Sequence, residues 1–358
     1  MHHSRQDGPA PETRIRTEDH ALFSAMDVVI RQAGADPDSL HGSVAREIMH
    51  TAVKLIRDKA DDHEMKLISR SVKELRYALK VFRGYESVRK ISIFGSARTK
   101  ENHPEYQAAV AFSKDMATAG WMVITGAGGG IMAAGHGGAG AQQSFGVAIR
   151  LPFETTANDT IKNDPKLITF RYFFTRKLMF MWQAHAVALF PGGFGTQDEG
   201  FEALTLVQTG KAPTVPIVLV DQPGGDYWKH WDQYVRGELL AGGLIGEDDL
   251  ALYHVFDEPA VAARHVCDFY RNYHSQRYVN DLLVIRMQRP LQEAQIAALN
   301  GEVASLIGEG KIEQSGPVAP EDEFMHMPRL RFVYTKHHFG RLRKLIDRVN
   351  AFDAANAR

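Results

Sequence analysis

Between about Ala21 and Phe82 the apolar residues recur at helical spacing, each run backed by a charged face. The segments "VAREIMHTAVKLIRDKA" and "EMKLISRSVKELRYALKVF" show this most plainly. Beyond them the pattern changes to short β-branched runs that alternate with helices. "KISIFGSAR" reads as a strand, "PEYQAAVAFSKDMATAG" as a helix closing at Gly120, and "WMVITGAGGGIMAAGHGGAG" as a strand, a glycine-rich turn and a helix opening. "SFGVAIRLP", "AVALFPGG" and "TVPIVLVD" supply a third, fourth and fifth strand. Strands alternating with helices imply βαβ units, a parallel sheet and right-handed crossovers. After "FYRNYHSQRY" the order changes again: "DLLVIRMQ" and "RLRFVYT" read as strands, "LQEAQIAALNGEVASLI" and "HHFGRLRKLIDRVNAF" as helices. The pattern thus predicts an α/β protein, a Rossmann-like doubly wound parallel sheet over residues 88–272. A helical N-terminal extension (1–87) precedes it, and a small α+β C-terminal extension (273–358) follows. No repeat at solenoid periods is present.

Composition changes this picture little. The chain has 358 residues, 44% hydrophobic and 24% charged, which is ordinary for a globular protein. A formal charge of −1 gives no global pull toward nucleic acid or an anionic membrane. Cys267 is the single cysteine, so no intrachain disulfide can form, which suits a reducing compartment. The first twenty residues are polar and lack an apolar h-region, and no apolar run is long enough to span a bilayer. A cytoplasmic protein with neither membrane nor nucleic-acid partner is expected. The 16 histidines form no HExxH or Cys/His spacing, so no metal site is expected, and the basic "RLRK" near the end reads as a solvated face.

Candidate chemistry sits in three strand-to-helix turns with little side-chain bulk: Gly95-Ser96, Gly126 to Gly130, and Gly192 to Thr196. In an open parallel sheet, ligands bind beyond the carboxyl ends of the strands. Bare backbone followed by a helix N-terminus makes an anion site there. One such turn is weak evidence; three after apolar strands predict a phosphate ligand. Gly128-x-Gly130-x-x-Ala133, with Glu154 about twenty residues on, is a variant of the dinucleotide fingerprint and keeps NAD or NADP open. Against it, the fingerprint belongs after the first strand and here follows the second. A P-loop is absent.

The loop "PGGFGT" is followed by acidic residues. Thr196-Gln197-Asp198-Glu199 reads as a capping box with Thr196 as N-cap. On that reading Glu199 lies in the first helical turn, where the dipole favours its ionised form. Glu202 lies on the same helix face. Upstream, "TFRYFFTRKLMFMWQ" reads as an aromatic helix carrying Arg171, Arg176 and Lys177. It is either a core helix with solvated basic residues or a helix that brings Arg176 to a phosphate or a leaving base. Tyr227, Trp228 and Trp231 read as packing residues.

"PGGFGTQDE", Pro191 to Glu199, fits the PGGxGTxxE signature of the LOG (Lonely Guy) family in full, and the Arg176-Lys177 pair and "TGAGGGIM" resemble its other two landmarks. The resemblance covers about Lys90 to Tyr234. It implies a phosphoribohydrolase that cleaves a nucleoside 5′-monophosphate to free base and ribose 5-phosphate, although members were long labelled lysine decarboxylases. It places the catalytic roles on Arg176 and Glu199. The substrate contacts it and the turns nominate are Gly95, Ser96, Gly128, Gly129, Gly130, Met132, Lys177, Gly192, Gly193, Gly195, Thr196 and Glu202. It implies no metal or organic cofactor, a small-molecule nucleotide as partner, and a homo-oligomer. Compact members lack extensions of this size, whereas longer bacterial relatives include AMP nucleosidases, so AMP is expected ahead of a cytokinin ribotide. The competing reading is a non-catalytic nucleotide or molybdenum-cofactor carrier, in which an Arg176–Glu199 pair has no task. A dinucleotide oxidoreductase, which would bind NAD(P)H, and a decarboxylase, which would need pyridoxal phosphate, complete the range of functions that the residues allow.

Overall fold

The computed structural model describes residues 19–151 and 157–356; the opening residues 1–18 and Glu154 lie outside the described residues. Two compact units are present, dividing between Lys73 and Glu74. The first holds the helices α1 (Asp19–Gln32) and α2 (Leu40–Arg57) and the opening of α3 (Asp62–Arg83). Ser39 caps α2 by accepting from the Gly42 N–H at 3.1 Å. Asp19, buried, accepts from Arg57 at 2.7 Å, and Asp27 from Arg46 at 2.6 Å, tying the two helices together.

The second unit runs in the order β1 (Lys90–Phe94), α4 (Pro104–Thr118), β2 (Met122–Thr125), α5 (Ile131–Ala139), β3 (Ser144–Ile149), β4 (Leu167–Phe170), α6 (Phe173–Gln183), β5 (Ala186–Leu189), α7 (Phe194–Gln208), β6 (Ile217–Val220), α8 (Tyr227–Tyr234), β7 (Tyr253–Phe256) and α9 (Pro259–Asp268). It closes with β8 (Tyr273–Val279), β9 (Leu282–Met287), α10 (Glu293–Glu302), β10 (Ile307–Ser315), β11 (Arg329–Tyr334) and α11 (Phe339–Asn356). The first seven strands form one parallel sheet in the order β4-β3-β2-β1-β5-β6-β7, the expected Rossmann-like architecture. The last four form an antiparallel sheet, β10-β11-β9-β8.

Alternation along the buried strands divides the core in two. Ile91, Ile93, Val123, Ala186 and Val218 face α4, α5 and α9, and this layer continues without interruption into β9, β11 and α11. Phe94, Ile124, Val147, Leu189 and Leu219 face α6, α7 and the end of α3, where Ala78 and Phe82 are buried.

Four strands escape the sequence pattern. β4 runs into α6 with only Arg171-Tyr172 between them, so Thr169 and Phe170 read as the opening of an aromatic helix and belong to a strand instead. β7 ("YHVF") is a short edge strand, and β8 ("YHSQRYV") is polar through its middle. β10 ("IGEGKIEQS") is an edge strand, mostly exposed and rich in glycine and charge, which conceals its period. Its first residue, Ile307, closes the run whose spacing predicts a helix.

Candidate active site

The sheet order reverses between β1 and β5: the chain moves outward one way through β2, β3 and β4, and the other way through β5, β6 and β7. Such a switch point opens a crevice at the carboxyl ends of the two central strands. The loops that follow β1 and β5 meet there. The Ser96 N–H donates to the Pro191 carbonyl at 3.1 Å, and the Ile131 N–H, at the start of α5, donates to the Ser96 carbonyl at 3.0 Å. One serine backbone therefore joins all three glycine-bearing turns.

Close approach explains two of the glycines. A Cβ on Gly130, which has φ of +58°, would stand 2.2 Å from the Ser96 oxygen; one on Gly192 would stand 2.2 Å from Thr196 Oγ1 and 2.9 Å from the Ser96 nitrogen. Gly193 and Gly195 differ. A Cβ at either would meet nothing within 4 Å, so packing within the chain does not require glycine at these two positions. Their bare backbone leaves room for a ligand to come close.

The expected capping box does not form. α7 starts at Phe194 with Gly193 as its N-cap, without a side-chain cap, and the N–H groups of Thr196 and Gln197 bond the Gly193 carbonyl at 3.0 and 3.1 Å. The Pro191-Gly192-Gly193 turn brings the chain into helical geometry early, so Thr196 is buried inside the first turn. The N–H groups of Phe194 and Gly195 have no acceptor within the helix and stand at its positive end. Tyr227 holds the turn: its hydroxyl donates to the Gly192 carbonyl at 2.5 Å and accepts from Gln197 Nε2 at 2.7 Å. Trp228 and Trp231 pack edge to face beside it, ring centroids 5.9 Å apart.

The early start of α7 also moves Glu199 to the sixth residue of the helix. The dipole acts mainly over the first turn. The expectation that it keeps Glu199 ionised is therefore corrected: burial raises the carboxyl to about 7, against the pull of Lys177 and Arg176 in the other direction. Arg176 Nε donates to the Val147 carbonyl at 2.9 Å, and the guanidinium carbon lies 5.1 Å from the centre of the Phe180 ring. Its Nη2 is 2.5 Å from where a Cβ on Gly126 would be, so the second glycine turn makes room for it. Lys177 Nζ lies 2.8 Å from Asp198 and 2.7 Å from Glu202, an ion-pair cluster that ties α6 to α7. Burial alone would lower the Lys177 pKa; the bonds to Asp198 and Glu202 outweigh it and raise it.

The nominated residues thus fall into four groups. Gly95, Ser96, Gly130, Gly192 and Thr196 lock the loops to one another. Gly193 and Gly195 face open space. Gly129 has only the Ala97 carbonyl near it, 3.5 Å from a Cβ position, and Met132 lies under Gly126 and Gly128. Lys177 and Glu202 are committed to each other. The brace behind the second turn leaves no signature in the sequence. Asn158 Nδ2 donates to the carbonyls of Ala127 and Gly128 at 3.1 and 3.0 Å, and lies 3.1 Å from His136 Nδ1. His136 is fully buried, and burial lowers its pKa, so it serves as a neutral ring beside Thr125 Oγ1 at 3.0 Å. Nothing in the sequence spacing joins these groups; the fold does. Among the described residues, no group of three or more His, Cys, Asp and Glu could hold a metal ion, and no helix is long and apolar enough to cross a membrane.

A parallel α/β sheet with bare loops at its switch point, and Arg176, Lys177 and their carboxylate neighbours beside them, defines a Rossmann-like protein with a candidate site at that crevice. Residues 130–266 match the family described as possible lysine decarboxylase, the label long carried by the LOG-type proteins that the signature resembles. Among solved structures, the molybdenum cofactor carrier protein of Chlamydomonas reinhardtii is 23% identical, the match covering 50% of this chain and 96% of that one at a TM-score of 0.35. The molybdenum cofactor binding protein of the phototrophic bacterium Rippkaea orientalis is 16% identical, covering 50% and 95%, also at 0.35. The structural-genomics target TM1055 is 17% identical, covering 50% and 98%, at 0.34. Likenesses at this level carry no argument about substrate or activity. No curated protein matches the chain.

Proposed function

We propose that this protein hydrolyses the N-glycosidic bond of purine nucleoside 5′-monophosphates, with AMP as the favoured substrate and N6-modified adenine ribotides second. One observation carries the reading: Glu199, held at about 7, lies within the electrostatic reach of Arg176 beside a bare loop at the switch point. In this scheme the 5′-phosphate takes the N–H groups at the start of α7, where Gly193 and Gly195 leave the backbone open. The ribose C1′ then lies over Glu199. Water adds to C1′ as the bond to the purine nitrogen breaks, and the electron pair leaves with the base. One water proton passes to the Glu199 carboxylate, and the same carboxyl can return it to the departing purine. Positive charge on the ribose is stabilised by the carboxylate, and negative charge on the base by the Arg176 guanidinium. A carboxyl with a pKa near ambient pH suits both halves of that transfer.

The support for AMP over an N6-prenylated ribotide is the pair of extensions, which compact members of the resembled family lack. The test is a product assay on AMP, GMP, CMP, UMP and N6-prenylated AMP, resolving free base and ribose 5-phosphate. Adenine release ahead of the other four supports the reading. Release from the prenylated ribotide first would reverse the substrate order. Tight binding without release from any of the five would replace the enzyme with a nucleotide-binding module.

A further inference from the structure

The first turn of α6 carries the catalytic candidate Arg176, yet the sequence supplies no cap for it. Tyr172 stands at the N-cap position with extended backbone and no side-chain cap bond. The turn itself is weakly anchored: Phe173 and Phe174 are each 55% exposed, and within it only Thr175 is buried. The rest of the helix is held well, through buried Met179 and Phe180 and through Ser92 Oγ, which donates to the Phe180 carbonyl at 2.9 Å.

A carboxylate from elsewhere fills the gap. Glu74 Oε1 accepts the Arg171 N–H at 2.9 Å, and Glu74 Oε2 accepts the Thr175 hydroxyl at 2.7 Å. Glu74 lies on α3, one turn before buried Ala78 and two before buried Phe82, whose ring stacks on Phe145 at 4.3 Å. The carboxylate is thus presented from a fixed platform. Its negative charge also stands at the positive end of α6, where charge and helix dipole agree. Arg176 follows Thr175 directly, and the bond from its Nε to Val147 needs that turn in register.

We propose that Glu74 is a positioning residue for Arg176: reaching across from α3, it binds the Arg171 N–H just before the helix and the Thr175 hydroxyl within its first turn, stands in for the side-chain cap that α6 lacks, and fixes the turn from which the guanidinium projects. The proposal rests on reading Arg176 as a catalytic group. A cap of merely structural value would alter thermal stability alone; a positioning cap also alters the chemistry that passes through Arg176.

The experiment compares wild type, Glu74→Ala, Glu74→Gln and Thr175→Ser as purified full-length chains, with thermal melts to verify folding. Steady-state AMP hydrolysis across pH is run beside hydrogen–deuterium exchange of residues 171–177. Glu74→Ala should lower kcat about tenfold with a smaller change in KM, the size expected when a helix cap is lost. Its activity–pH midpoint should move upward, since Arg176 in place holds the Glu199 pKa down. Exchange over 171–177 should rise about tenfold. Glu74→Gln, which keeps an acceptor for the Arg171 N–H, and Thr175→Ser, which keeps the hydroxyl, should lie nearer wild type. A folded Glu74→Ala with wild-type exchange, or with raised exchange but wild-type kcat and pH midpoint, overturns the proposal. Absence of hydrolysis by wild type itself would sink the catalytic reading and, with it, a catalytic role for the cap. Exchange would still report whether Glu74 holds the turn.

Discussion

Glu199→Gln should make the protein more stable, by an amount that grows from about pH 4.5 and levels off above about pH 7. The side chain keeps its shape and loses its ability to ionise. In the folded protein burial raises the Glu199 carboxyl from 4.5 to about 7, opposed by Lys177 and Arg176. A carboxyl raised on folding contributes stability that is whole below about 4.5 and is lost as pH rises through about 7. Above pH 8 the folded chain therefore carries a carboxylate held in an unfavourable place. The gap corresponds to about 3 kcal/mol as a ceiling, and to about 1–2 kcal/mol once partial solvent screening of a half-buried group is allowed for. The amide removes that cost. Differential scanning calorimetry at pH 4 and pH 8.5 should show the variant melting with wild type at the lower pH and about 2–5 °C above it at the higher. An equal shift at both pH values, or a loss at pH 8.5, would refute the claim that burial governs this carboxyl. The same substitution should abolish nucleotide hydrolysis, a gain in stability at the expense of activity.

Four further outcomes follow from the geometry. Activity should rise with pH through a midpoint of about 7, because the ionised form of Glu199 accepts the proton; a flat profile between pH 6 and 8 would remove it from the rate-limiting step. Arg176→Lys keeps the charge but loses the planar fork that bonds Val147 and lies against Phe180, and kcat should fall about a hundredfold. Gly192→Ala should lower stability by about 1–3 kcal/mol in chemical denaturation, whereas Gly193→Ala and Gly195→Ala, with open space around them, should shift it by less than about 0.5 kcal/mol while weakening binding of AMP measured by calorimetry. In the C-terminal sheet, Glu321 accepts from Arg286 at 2.7 Å and Arg329 at 3.1 Å, all three buried, so Glu321→Ala should cost about 3–5 kcal/mol in urea unfolding by removing the carboxylate that two buried guanidinium groups share, with Glu323 left to only one of them at 3.6 Å.

The parallel sheet and its three glycine turns were legible because they depend on local patterns: apolar runs of strand length, each ending in residues without side-chain bulk. The position of Glu199 within α7 was not. "PGGFGTQDE" offers Thr196 as an attractive cap, and only the backbone at Gly193 shows that the helix has already begun. The consequence is chemical as well as geometric, since the dipole gives way to burial as the force on the carboxyl. Tyr227 on the Gly192 carbonyl, Asn158 behind the second turn and Glu74 at the start of α6 were equally hidden. Each joins positions more than 25 residues apart, and no periodicity records such a contact. β10 was missed for the opposite reason: an exposed edge strand has no apolar face to repeat.

The most direct test of the central claim is a single-turnover reaction with enzyme in excess over AMP, following adenine and ribose 5-phosphate in wild type and Glu199→Gln side by side. Wild type should release both products stoichiometrically, and the variant should lose about a thousandfold in rate with AMP still bound. Equal rates in the two proteins, or AMP recovered intact from wild type, would contradict the claim.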